Sequence, residues 1–189
     1  MVNSMAMQVE GLRGDWVLSQ SDSPVEFSKY ADLTVQFAPF QLNRKSLLSK
    51  LYGALERNSQ LAENYMKSQE LLGILENFML EISDEFPFEI NCQKLAIGPI
   101  VRALAPEFEE GDKSTTEKIF TYMELVRELD RDKLFIMVNM RSYFSDEEME
   151  LFTESACLHD FKVLLFESVA APKLSHTKRF VIDSDLCEF

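Results

Sequence analysis

Basic residues are scarce: 19 Lys and Arg stand against 32 Asp and Glu, for a formal charge of -13. This imbalance excludes a protein whose whole surface attracts nucleic acid or anionic lipid, while leaving room for one local basic strip. Glycine and proline are thin as well, six of each in 189 residues, so long structureless segments are not expected. The three cysteines, Cys92, Cys157 and Cys187, are far apart and odd in number. Their spacing matches no metal site, which fits a reduced intracellular chain with small buried residues at those positions. No apolar run approaches the roughly 18 residues needed to cross a bilayer. Met1 to Met7 has no basic region followed by an apolar stretch and cleavage site, so no signal peptide is expected. The expectation is a cytoplasmic protein with no membrane association.

What is present is a chain 46% hydrophobic and 27% charged, long enough for one domain, or one with a sizeable insertion. Met7–Glu10 and Trp16–Leu18 read as two short strands joined by the turn Gly11-Leu12-Arg13-Gly14. Ser19 to Pro24 reads as a polar loop, and Asp32–Phe37 alternates at the strand period before Pro39. From Asn43, an available N-cap, the period becomes helical. Leu47, Leu48, Leu51 and Leu55 form one stripe, and Leu71, Leu72, Leu75, Phe78, Met79 and Ile82 repeat it over Glu63 to Ser83. Phe86-Pro87 ends that helix, and a third, Cys92 to Ala105, buries Leu95, Val101 and Leu104 but has a kink or late start at Gly98-Pro99.

After an acidic connector, Pro106 to Asp112, Ser114 to Glu117 and Ser145 to Glu148 are two capping boxes, each opening a helix. Leu134–Val138 and Lys162–Phe166 are unalternating apolar runs that suit buried parallel strands, and Arg179 to Asp183 reads as a last strand. The fold class is therefore α/β. Residues 1–42 and 106–189 make the sheet domain, and 43–105 a helical insertion.

Nucleotide chemistry is missing. No G-x-x-x-x-G-K-[ST] loop occurs, and Asn139 stands where the strand Leu134–Val138 would end in a metal-positioning acid. His159, near a helix end, and His176, in a loop, accompany no nucleophile motif and read as surface residues. The run Glu107 to Glu110 reads as a solvated loop, with metal ligation as the alternative.

Leu47-Leu48-Ser49-Lys50-Leu51, the helix ending near Phe78-Met79, Arg102-Ala103-Leu104, Lys133–Asn139 and Phe161–Glu167 together carry a likeness. Over roughly residues 43 to 189 the chain resembles the CRISPR-associated spacer-acquisition proteins of type II-A systems. The resemblance implies a degenerate P-loop-like α/β domain with an all-helical insertion. It also implies a homotetrameric ring threading onto linear double-stranded DNA ends, with the CRISPR integrase complex and the RNA-guided nuclease as partners and no catalytic step. The segment Ser19 to Pro39 is shorter than the corresponding section of that family. Calcium is the one cofactor the resemblance brings. Here Glu85 and Glu89 are the acids remaining near the second helix's end, and Gln93 and Lys94 replace acidic character, so weak or absent binding is expected.

In a ring, bases need only line the hole while acids face outward. Arg44, Lys45, Lys50, Arg57 and Lys67 are the candidate DNA-binding residues, with a solvated helix face as the plain alternative. The competing function is an oligomeric scaffold acting through protein–protein contacts without DNA. A divergent nucleotide hydrolase is a third class.

Overall fold

Ser114 and Ser145 each start a helix because the hydroxyl accepts from the backbone N–H three residues on, while Glu117 and Glu148 reach back to the serine N–H. Both boxes form, opening α6 (Thr115–Leu129) and α7 (Asp146–Leu158) in the order β4 (Leu134–Val138), α7, β5 (Lys162–Phe166). The computed structural model describes residues 2–91 and 93–182. Before α6 lie α1 (Val2–Val9), β1 (Leu18–Gln20), β2 (Ser23–Val25), α2 (Phe27–Tyr30), β3 (Ala31–Thr34), α3 (Lys45–Ser59), α4 (Ala62–Ser83) and α5 (Ile97–Leu104). β3, β4 and β5 form a parallel sheet with β4 central, paired Ala31 to Leu134 and Leu134 to Lys162. β1 and β2 form a separate antiparallel hairpin.

Strand alternation divides the core. Ala31 and Ile136 face Met5 of α1, with Trp16, Leu18 and Phe166 packed around them. On the opposite side the Tyr122 hydroxyl of α6 donates to Asp32 at 2.7 Å, and Phe135 meets Phe161 edge-on. α7 joins α6 through Phe152 and Phe120, whose rings lie 5.1 Å apart.

The chain forms two compact units, one up to Leu42 and from Glu110 onward, the other Asn43–Glu109. Leu42 N donates to Glu110 Oε1 and Lys118 Nζ to Glu110 Oε2, so this acid of the connector is a structural latch. Within the helical unit Asn43 exchanges two hydrogen bonds with the Phe108 backbone.

Several expectations are corrected. Met7–Val9 belongs to a helix, not a strand. Leu12 N donates to Met7 O and Gly11 N to Gln8 O, with Gly11 at φ +83°, a Schellman ending that only glycine adopts without strain. Trp16 precedes its strand, and its backbone pairs with the Gln8 side-chain amide in both directions, at 2.8 and 2.9 Å. The loop Ser19 to Pro24 is a hairpin, because Ser21 and Asp22 both take positive φ and close a two-residue turn. Asn43 does not cap α3, since its carboxamide is spent on Phe108. Arg44 occupies the cap position, with no side-chain cap bond.

α5 starts late, at Ile97, with Pro99 in the first turn, where its missing N–H costs no helical bond. Leu104 is 76% exposed rather than buried. α4 ends at Ser83, before Phe86-Pro87. β5 is an edge strand and only partly covered. Residues 179–181 are irregular and Ile182 makes an isolated bridge; Asp183 lies outside the described residues, as do Cys92 and Cys187. Cys157 is exposed, on the solvent side of α7.

Candidate nucleic-acid interface

α3 collects most of the candidate bases. Arg44 at its cap, Lys45 at its first position, Lys50 and Arg57 oppose one acid, Glu56, in a chain of charge -13. Lys45, Lys50 and Arg57 are exposed, and Arg44 is half-buried. The helix start concentrates positive potential. Its first N–H groups have no side-chain cap, its first turn has no acid, and the helix dipole adds to Arg44 and Lys45. Such an end costs helix stability and favours an anion. Lys67 is different. It is exposed on α4 with Glu63 four residues before and Glu70 three after, so local acids offset it.

Glu56 is turned away from this charge. Its carboxylate lies against Gly98 of α5, where an added Cβ would come within 2.6 Å of Oε1, and Arg102 Nη2 stands 3.9 Å from Oε2. Arg102, 61% exposed, is a base the charge pattern alone passes over, because only packing of α5 on α3 brings it near Glu56.

α4 is 22 residues long and has no buried residue. Leu71, Ile74, Leu75, Phe78 and Ile82 recur at helical spacing along one side, and Ile74 and Phe78 are 59% and 55% exposed. The stripe read from sequence is therefore real as a pattern, but this chain does not cover it.

The carboxyl end of a parallel sheet is the usual ligand crevice of an α/β fold. Here its residues bind one another. Asn139, left-handed at φ +53°, donates from its backbone to Phe166 O at 2.7 Å and accepts from Ser168 N at 2.9 Å. Glu167 accepts from Arg141 N, and burial pushes its carboxyl above the usual carboxylate range against that hydrogen bond. Glu85 and Glu89 are both exposed beyond α4, and among the described residues no three His, Cys, Asp or Glu side chains gather as a metal site. Two separate carboxylates do not fit calcium, which takes six to eight oxygens.

His159 caps the end of α7, half-exposed and 3.7 Å from Glu124, and His176 lies in an exposed turn. No described helix is long and apolar enough to cross a membrane.

The molecule is thus a parallel α/β-sheet protein bearing a separate helical unit. Residues 8–186 match the family described as CRISPR-associated protein (Cas_Csn2), and the chain belongs to that family. The fold is similar to the crystal structure of Stu0660 of Streptococcus thermophilus, at a TM-score of 0.62 and 14% identity. That match covers 88% of this chain and 59% of the solved one, so this chain spans about three-fifths of its neighbour's length.

Proposed function

We propose that the protein binds the ends of linear double-stranded DNA as a closed homotetramer and assists acquisition of new spacers in type II-A CRISPR immunity. The observation that supports this most is α3: four bases and one diverted acid, at an uncapped helix start, in an otherwise acidic chain. Arg44, Lys45, Lys50 and Arg57 contact phosphates, with Lys67 at the margin. In this reading the sheet domain is a degenerate P-loop-like domain, the helical unit is an insertion, and the role is non-enzymatic. The engaged Asn139 and the missing phosphate loop support that. The integrase complex and the RNA-guided nuclease act on the DNA it holds. Calcium is not needed.

The test is binding of linear against covalently closed duplex across salt. If each of four subunits neutralises one or two phosphates, log K falls against log salt with a slope of roughly -4 to -7. Light scattering then finds about four times 21.8 kDa, unchanged by EDTA. Equal affinity for closed circles, or a monodisperse monomer, defeats the reading. The second reading, an oligomeric scaffold without DNA contact, is favoured by the bare stripe of α4. It predicts assembly without any salt-dependent DNA binding.

A further inference from the structure

The bases of α3 are arranged and not merely numerous. At 100° per residue, Ser46, Ser49 and Gly53 follow one another along the side opposite Leu47, Leu51 and Leu55. Lys45 stands to one side of this outward line, Lys50 and Arg57 to the other, and Ser46 and Ser49 are exposed. Arg57 lies back along the helix. A Cβ built at Gly53 would be 3.4 Å from Arg57 Nη1, so the guanidinium rests over the one residue of α3 that has no side chain. Glu56, the acid beside it in sequence, is directed to Gly98 and Arg102 and stays off this surface.

We propose that Gly53 is a positioning residue for phosphodiester binding. It seats the Arg57 guanidinium on the outward line of α3, where its fork takes phosphate oxygens, while Lys45 and Lys50 reach neighbouring phosphates. The inference rests on the reading of α3 as a DNA-binding helix and adds that shape, not charge alone, sets the contact. A single added methyl at 53 meets Arg57 at ordinary contact distance and is tolerated. A longer side chain fills the notch and displaces the guanidinium without changing any charge. Gln is also a better helix former than Gly, so Gly53→Gln should not lower the melting temperature.

The experiment uses the full chain and a linear duplex in fluorescence anisotropy, as a function of salt, with melting curves for each variant. Gly53→Ala should bind as the parent. Gly53→Gln and Arg57→Gln should each weaken binding about tenfold, the effect of one charge-assisted hydrogen bond, and flatten the salt slope by roughly 0.9 for each phosphate no longer neutralised. The double variant should be no weaker than Arg57→Gln alone, because both changes remove the same arginine–phosphate interaction. Parent-like binding by Gly53→Gln, or additive losses in the double variant, overturns the proposal. The Lys50→Glu, Arg57→Glu double variant separates the two failures. If it weakens binding while Gly53→Gln does not, positioning alone is wrong; if it too binds normally, the DNA reading of α3 falls and takes the proposal with it.

Discussion

The two units are stabilised by different means. In the sheet unit α6 and α7 are capped, carry acids in their first turns and bury whole rows of side chains. In the helical unit α3 starts with bases and no side-chain cap, α4 buries nothing, and Leu47 is the one fully buried hydrophobic among the described residues. A helix holds mostly through tertiary packing of its apolar face. The sheet unit supplies that packing internally. The helical unit leaves an anion-seeking end and an uncovered stripe, both of which a ligand or another subunit would complete.

The contrast breaks first, if it breaks, on core truncation. Phe152→Ala should destabilise the protein by about 3–5 kcal/mol, whereas Phe78→Ala, at a more than half-exposed ring, should change it within about 0.5 kcal/mol in dilute monomer. Denaturant midpoints measure both, and similar losses would show that α4 is already covered. The next effect is capping. Ser145→Ala should cost about 0.5–2 kcal/mol by leaving the Glu148 N–H unbonded. Lys45→Glu should do the reverse, gaining about 0.3–1 kcal/mol by placing an acid at the helix start, while weakening DNA binding. A stabilised variant with undiminished affinity would separate that end from the ligand.

The smallest effects are in titration. The Ser114 backbone N–H, and then its hydroxyl, hold the Glu117 carboxyl below its ordinary value. Its contribution to stability is present above the unfolded-state value and is lost as pH falls through the lowered folded one. Glu167 runs the other way. Burial raises it, so the folded protein binds that proton more tightly, and stability declines as pH rises from the ordinary carboxylate range through the raised value. Carbon-13 NMR should therefore find Glu117 titrating below Glu167. Ser114→Ala should move Glu117 up toward the ordinary value, and no movement would deny the cap its role.

What was legible in the sequence follows the same division. The capping boxes and the apolar run of β4 each combine a strong local signal with the burial it implies, and both appear as read. The extent of α4 is read to within a residue at its start, but its stripe says only that one side is apolar, not what lies against it. α1 is missed because Met7–Glu10 alternates by chance. The better signals were Met5, two turns' worth of helix formers and the glycine at 11. The hairpin escapes because Ser21-Asp22 carries no glycine, although both residues take positive φ. At the candidate site the bases of α3 are visible in the sequence. The diversion of Glu56 and the seating of Arg57 depend on Gly98 and Gly53, whose role is the room they leave.

The stem where the chain leaves the sheet unit and returns has a consequence for design. Leu42 is tied to Glu110 on one side, and Asn43 to Phe108 on the other, so departure and return run side by side. Such an excursion is closed at its neck, and lengthening it costs only about 0.6 kcal/mol per doubling. It is therefore a cassette. It can be cut out at the neck and replaced by a short turn, leaving behind a domain whose hydrogen bonds and core are all its own.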